Sequence, residues 1–468
     1  MRFGTVLAAD LLESGRRMTG SFHLSEDESA TRALRHFDSN SDLLSDLVGG
    51  RRIFKGQIFR RRYVEDPRLG RPYVSPNDLD RVFIEPSGYL SPKLGARLEE
   101  LALVEGMVLV TRSGMTLGKA LWTREDMSGQ VASDDLIRIE IDSRRAPPGY
   151  VYAFLASRFG RVAIRQQTYG GSIKHIEPHH LAGLRIPRLG SSVELKIHNL
   201  VLRSSRGVSQ HVALMRQATD SVLRAVGISD PGTFRWNTDE RRFGWAKSDL
   251  SSLSLRAMNF DPRATDLREA LERTNRTTPL GKLCVPQWFK GKIIFTRIDA
   301  EPQFGALLLG QRKAFRPRPE GRWISRKSIK GLGLQVPAGT TLIPSHGTLG
   351  ENELYCRALY VTPRMSSHAF SGDFFRCIPA EGAINPGYLH AFLRSEFAFR
   401  LLRSISTGGK QQEQHPVMMW NLPIPRLEAS EEARVGALVN VAAEELDAAM
   451  SAEDEAERLL EESIRRES

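Results

Sequence analysis

Three stretches of this 468-residue sequence carry residue types that could do chemistry. Gly114-Met-Thr-Leu-Gly118-Lys119-Ala120 approaches a phosphate-cradling loop, where backbone N–H groups and a lysine meet the phosphates. It is one residue short of GxxxxGK and lacks the Ser or Thr that would hold magnesium. His175, His179 and His180 are close enough in sequence to suggest a zinc site, but Pro178 interrupts the helix that a four-residue ligand spacing requires. Glu194-Leu-Lys196 has the final triplet of a metal-dependent nuclease, without a nearby Asp to share the metal. No GxSxG elbow offers a nucleophilic serine, and no NPPY, DPPY or FxGxG motif offers a methyl-transfer site. Cys284, Cys356 and Cys377 are odd in number and widely spaced, which fits neither a disulfide framework nor a four-thiolate zinc site. The expectation is no metal and no cofactor, in a reducing cytoplasm; spacing alone leaves a Ser/His/Asp nucleophile open.

What the sequence has in abundance is positive charge. Lys plus Arg number 66 against 55 Asp plus Glu, a net of +11. Basic residues cluster as Arg51-Arg52, Lys55 and Arg60-Arg61-Arg62. They cluster again from Lys290 to Lys330, with Trp288 and Trp323 among them. That balance points to a polyanionic partner, most simply nucleic acid. With 41% hydrophobic and 26% charged residues the chain can build ordinary cores, and its length calls for two or three domains. No apolar run of 18 residues exists to span a membrane, and no leader segment is expected.

An internal repeat supplies the elements that position these charges. Leu184-Arg-Ile-Pro-Arg-Leu189 returns as Leu422-Pro-Ile-Pro-Arg-Leu427, an offset of 238. The same offset joins Pro148-Gly-Tyr150 to Pro386-Gly-Tyr388, Gly170-Gly171 to Gly408-Gly409, and Phe22 to Phe260. Phe54-Lys-Gly56 answers Phe289-Lys-Gly291 at 235, and Glu105–Gly114 answers Ala338–Gly347 at 233. Slips that cancel along one ordered series mean a duplication with small loop insertions. Each unit reads as β-rich with a few helices, followed by a proline-free tail. Residues 57–100 and 292–335 have little in common, so a shared scaffold carries divergent inserts.

Both tails have the steps of three and four that make a helical seam. The first runs Val193, Ile197, Leu200, Ser204, Val208, Val212, Met215, Thr219, Val222, Val226. The second runs Val435, Leu438, Ala442, Leu446, Ala449, Ala452, Ala456, Leu460, Ile464. Residues 190–228 carry a net +3 and residues 428–468 a net −9, so the tails are expected to pair with each other. Residues 1–427 are then left with +20. The expected fold is α+β: two pseudo-repeated β-rich domains, 1–189 and 231–427. They are separated by long helices, 190–230 and 428–468, that pair as an antiparallel coiled coil.

In this layout, and in its local phrases, the sequence resembles the specificity subunit of type I restriction-modification enzymes. The phrases are Glu105–Gly114, Ala132-Ser-Asp-Asp-Leu-Ile-Arg-Ile139 and Tyr169–Leu181, the last leading into the Ile-Pro end of the unit. The second copy is looser, with Gly408-Gly409-Lys410-Gln411-Gln412 and Ser371–Arg376 in the corresponding places. The resemblance covers the chain from about Phe22 onward. It implies a non-catalytic subunit that reads a bipartite double-stranded DNA target, one half-site per target recognition domain. It also implies partners: adenine methyltransferase subunits, two copies docking on the helices, with motor and restriction subunits joining them. Related methylation-linked phage-defence systems share the plan. The candidate DNA-binding residues are Arg60, Arg61, Arg62, Arg112, Lys174 and His175 in the first unit. In the second they are Arg297, Arg312, Lys313, Arg316, Arg326, Lys327, His346, Lys410, Gln411 and Gln412. Gln411 and Gln412 have the donor–acceptor pair that reads adenine; most of the cations would touch phosphate. A stand-alone DNA-modifying enzyme, a diverged nuclease or methyltransferase, is one competing reading; a scaffold without sequence preference is another. If the helices set the gap between half-sites, removing a heptad from both should change it.

Overall fold

The computed structural model describes residues 8, 26–84, 86–168, 175–232, 236, 253–274 and 276–467. Its frame is two long helices, Ser191–Val226 (36 residues) and Ala429–Glu467 (39 residues). At 1.5 Å per residue they are about 54 and 58 Å long. They run antiparallel. Ser204 faces Glu453, Gly207 packs on Ala449, and His211 Nδ1 meets the Ala442 carbonyl oxygen at 2.7 Å. Every residue of the second seam is buried except Leu438, which is half-buried. In the first, Val193, Leu200 and Val226 are half-buried and the rest are buried. Small residues let the backbones approach: a Cβ at Gly207 would lie 2.9 Å from that of Ala449.

Each helix begins in the same way. Glu194, buried one turn in, accepts a bidentate pair from Arg188 (2.8 and 2.9 Å) and the Leu189 N–H (3.0 Å). Glu432 does the same for Arg426 (2.8 and 3.1 Å) and the Leu427 N–H (3.2 Å). The carboxylate ties down the backbone just before the helix and sits favourably at the helix start. Glu194 of the nuclease-like triplet is therefore committed to a structural role.

The expected attraction between oppositely charged tails takes a different form. Outside itself, the acidic helix makes ion pairs to the globular units: Arg158 to Glu461 (3.4 Å), Arg318 to Asp454 (3.1 Å) and Glu457, and Arg364 to Asp454. The seam itself is closely packed and mostly apolar, with Ser204, His211 and Thr219 among its buried polar residues. Between the helices, Lys196 of the first favours the charged form of Glu455 on the second.

The duplication is visible strand by strand. Ser41–Leu43 pairs antiparallel with Arg185–Pro187, as Thr277–Pro279 does with Pro423–Pro425. The Tyr150 hydroxyl donates to the Pro187 carbonyl, and the Tyr388 hydroxyl to that of Pro425. Val108–Thr111 lies between Leu136–Ile139 and Ala120–Trp122, as Thr341–Pro344 lies between Phe374–Cys377 and Leu359–Tyr360. Arg71–Val74 runs parallel to Val131–Ala132, as Gly305–Leu309 does to Ala369–Phe370. Helices Pro148–Ala156 and Arg158–Gln166 match Pro386–Leu393 and Glu396–Ser404.

The two main cores sit at opposite ends of the helix pair. One gathers Ile197, Val201, Ala456, Leu460 and Ile464 with the first unit; the other gathers Met215, Val222, Val435, Val439 and Ala442 with the second. Ile197 and Val222 are separated by about 37 Å of helix. Among the described residues no helix is long and apolar enough to cross a membrane.

Candidate nucleic-acid interface

At the centre of each unit lies a guanidinium bonded to backbone carbonyls. Arg138 is fully buried and donates to the carbonyls of Leu101, Ala132, Ser133 and Leu136, at 3.2, 2.8, 3.3 and 3.0 Å. Arg376, 238 residues on, is buried likewise. It donates to Gly333, Phe370, Ser371 and Phe374, at 2.6, 3.0, 2.8 and 2.6 Å. Burial draws each down to about 10, still cationic at neutral pH. Each arginine pins the turn that leads into its own strand, residues 132–136 in one unit and 370–374 in the other.

In the first unit that turn presents Asp134 and Asp135. Asp134 holds Arg61 at 3.0 Å, and the Arg61 guanidinium lies over the Tyr73 ring, 5.1 Å from its centroid. Asp135 takes Arg112 at 3.3 Å and the Ser113 hydroxyl at 2.6 Å. Ser113 in turn forms a β-bridge with His175. Arg112 also pairs with Glu177 at 2.8 Å, and Lys55 reaches Glu177 at 2.7 Å. Desolvation raises the Glu177 pKa, but the hydrogen bonds from Lys55 and Arg112 outweigh it and leave the carboxyl at about 2. The structure thus brings Arg61, Arg112 and His175 around one turn. Arg60 and Arg62 flank it on an exposed extended segment beside Ile58, which is 86% exposed. Lys174 lies outside the described residues.

The corresponding turn of the second unit holds a different set. The Asp373 carbonyl accepts from Gln311 Nε2 (2.7 Å) and the Ser345 N–H (2.9 Å), while the Gly372 carbonyl accepts from the Ile293 N–H (3.0 Å). Gln311 starts the short helix Gln311–Ala314, on which Arg312 and Lys313 are exposed. His346 pairs with Glu413 at 3.0 Å, and its strand adds to the hairpin Ser406–Gly408/Gln412–Gln414. Lys410 and Gln411 stand exposed at that hairpin's tip, where Gly408 adopts φ 93°. Gln412 is buried: its amide nitrogen donates to the Gly409 carbonyl and its oxygen accepts from Arg256 at 2.6 Å. Arg297, Arg326 and Lys327 are exposed on a neighbouring surface with Ile294 and Phe304, which are 86% and 70% exposed. Arg316 points elsewhere, to Asp80 of the first unit at 2.8 Å.

Other features have structural occupations. Gly114–Thr116 is a turn within an antiparallel hairpin, and Lys119 pairs with Asp80; no helix follows to cradle a phosphate. His180 Nδ1 accepts the Glu177 N–H at 3.1 Å. Among the described residues no three His, Cys, Asp or Glu side chains are grouped to hold a metal. The three cysteines are free and buried.

Sequence reasoning missed the pinning arginines and the acids that orient Arg61 and Arg112. The signal for the former was present, since Arg138 and Arg376 obey the repeat offset. The exposed apolar neighbours Ile58, Ile294 and Phe304 carried no signal, because exposure is a tertiary property.

Fold and site together define a duplicated scaffold whose two cores lie at opposite ends of a helix pair and whose copies expose different cations. No family model and no curated protein matches the sequence. Solved structures are similar to it over most of its length. A type I restriction-modification system S subunit from M. genitalium matches at 12% identity, covering 91% of this chain and 95% of that one, with TM-score 0.36. An HsdS subunit from Thermoanaerobacter tengcongensis matches at 14% identity over 91% and 95%, TM-score 0.26. A structure described for complex assembly and conformational transition of the type I R-M system matches at 14% identity over 91% and 96%, TM-score 0.26.

Proposed function

We propose that this chain is the sequence-specific DNA-recognition subunit of a type I restriction-modification or related methylation-linked defence complex. It reads a bipartite double-stranded target and carries no catalytic centre of its own. The recognition domains are residues 1–189 and 231–427, and the helices 190–230 and 428–468 are the spacer. The observation that carries this reading is the duplicated pinned turn: one scaffold, copied, offers a different set of exposed cations and amides in each copy. A protein that needed only charge would have no use for two unlike surfaces at a fixed separation. Helix packing holds the core ends about 37 Å apart, close to one DNA turn of about 34–36 Å. An antiparallel pair also relates the units by a pseudo-two-fold, the symmetry with which two readers meet the two strands of a duplex.

In this reading, Arg60, Arg61, Arg62, Arg312, Lys313, Arg326 and Lys327 supply phosphate affinity, and Gln411 reads a base edge. Two adenine methyltransferase subunits dock along the helices, whose outer faces expose Lys196, Arg203, Arg206 and Glu444. Motor and restriction subunits complete the complex.

The test is selection of bound duplexes from a random pool, with the partner methyltransferase present where the chain alone is insoluble. Two short elements flanking a gap of fixed length are expected. Uniform, salt-steep binding without sequence enrichment would replace this reading with a scaffold. Cutting or methylation by the isolated chain would replace it with an enzyme.

A further inference from the structure

One segment belongs to neither reading surface nor spacer. The loop Asp78–Ile84 leaves the first unit, crosses the middle of the helix pair and meets the second unit. Its attachments are of several kinds. Asp80 pairs with Arg316 at 2.8 Å and with Lys119 of its own unit. The Val82 N–H donates to the Phe315 carbonyl at 3.1 Å, and Arg81 donates to the Asn352 carbonyl at 3.3 Å. The Val82 side chain is buried with Val208, Val212, Leu446, Ala449 and Met450. The Phe83 ring lies 5.3 Å from His211 and under the Arg394 guanidinium at 4.5 Å. From the other side Arg318 anchors residues 315–320 to Asp454 and Glu457.

We propose that this loop is a strap that fixes the angle and distance between the two units, and so narrows the range of gaps that the protein accepts between half-sites. The proposal deepens the bipartite reading and rests on it. Helices alone hold two bodies apart but leave each free to swing about its own attachment, because the main cores lie at the ends of the pair. A direct contact at the midpoint removes that freedom. The strap is narrow. Beside it lies a cavity of about 600 Å³ bordered by Tyr152, Ser204, Arg318 and Glu453, so the units share a bridge rather than a core. Cutting the bridge should therefore leave both cores intact.

The experiment compares the full chain with Asp80→Asn/Phe83→Ala in the same duplex selection. The variant is expected to keep both half-site elements while its preference for one gap length falls by about tenfold, the order of one lost base contact. An independent readout needs no DNA. Spin labels on cysteines placed at the exposed positions Arg97 and Lys330, one in each unit, should report a broader distance distribution in the variant. The native cysteines are buried and stay unlabelled. An unchanged gap preference with an unchanged distance distribution overturns the strap and leaves the bipartite reading standing. Loss of a half-site element at an unchanged distance distribution also overturns it, by making the loop part of the reading surface. A wild-type chain that selects no paired elements overturns the bipartite reading first, and the strap with it.

Discussion

At the scale of single residues, the buried pair Arg138 and Arg376 holds the corresponding turn in both copies, so that under the proposed function the exposed residues can differ while the shape is kept. Arg138 donates to carbonyls from its two terminal nitrogens and Arg376 from all three guanidinium nitrogens, and these bonds to backbone hold the turn without calling on the turn's own side chains. Arg138→Met would leave four carbonyls without that donor and should cost on the order of 3 kcal/mol. In duplex selection it should blur the first half-site and spare the second, with Arg376→Met doing the reverse. Equal blurring of both halves by either variant would mean that the turns are not local supports. The exposed residues divide by a different measurement. Arg60→Ala should weaken all sequences alike and lower the salt slope by about 1, whereas Gln411→Ala should relax a single position of the target. Gln412, adjacent in sequence, should behave as a packing residue, because Arg256 and the Gly409 carbonyl already occupy its amide.

At the scale of elements, the long helices were legible because a seam is a one-dimensional signal. Its period names the buried face, and the absence of proline gives its extent. The repeat was legible for a related reason: Pro, Gly and Tyr at its anchors cap helices and close turns, so they survive in both copies. What could not be read was anything that depends on distant segments meeting. The acids at Asp134 and Asp135 become partners of Arg61 and Arg112 only after folding, and the link from Asp80 to Arg316 spans the two units. His211 is the same kind of feature. It lies buried at the helix crossing, where desolvation, with help from Arg394 and Arg124, lowers its pKa from 6.5 to about 4 although its bond to the Ala442 carbonyl works the other way. The unfolded chain therefore takes up the proton first. The stability from neutral His211 is complete above about pH 6.5 and is lost as pH falls from there to 4, up to roughly 3 kcal/mol. Urea denaturation at pH 7, 5.5 and 4.5 should show the wild type losing more stability over this range than His211→Leu. Parallel losses would place the acid sensitivity elsewhere.

At the scale of the whole molecule, the helix pair and the strap make separable claims about one quantity, the gap between half-sites. In the proposed reading the helices set its length. Removing seven residues from the central helix between the two cores, with the seven that face them on the second helix, shortens the separation by about 10.5 Å. That is about three base pairs at 3.4 Å each. Seven residues nearly restore the helix face, about 20° short of full turns, whereas three base pairs turn a duplex of 10–10.5 per turn by about 100°. The two units cannot follow both changes as rigid bodies. The preferred gap should therefore shorten while affinity for the best target falls, because one reader meets its groove off-phase. Joining the deletion to the strap variant Asp80→Asn/Phe83→Ala should recover part of that affinity, since a freed unit can rotate to meet its groove. Duplex selection on the deletion alone and on the combination reads both effects. A gap that stays the same after the paired deletion would remove the helices as the ruler, whatever the strap does.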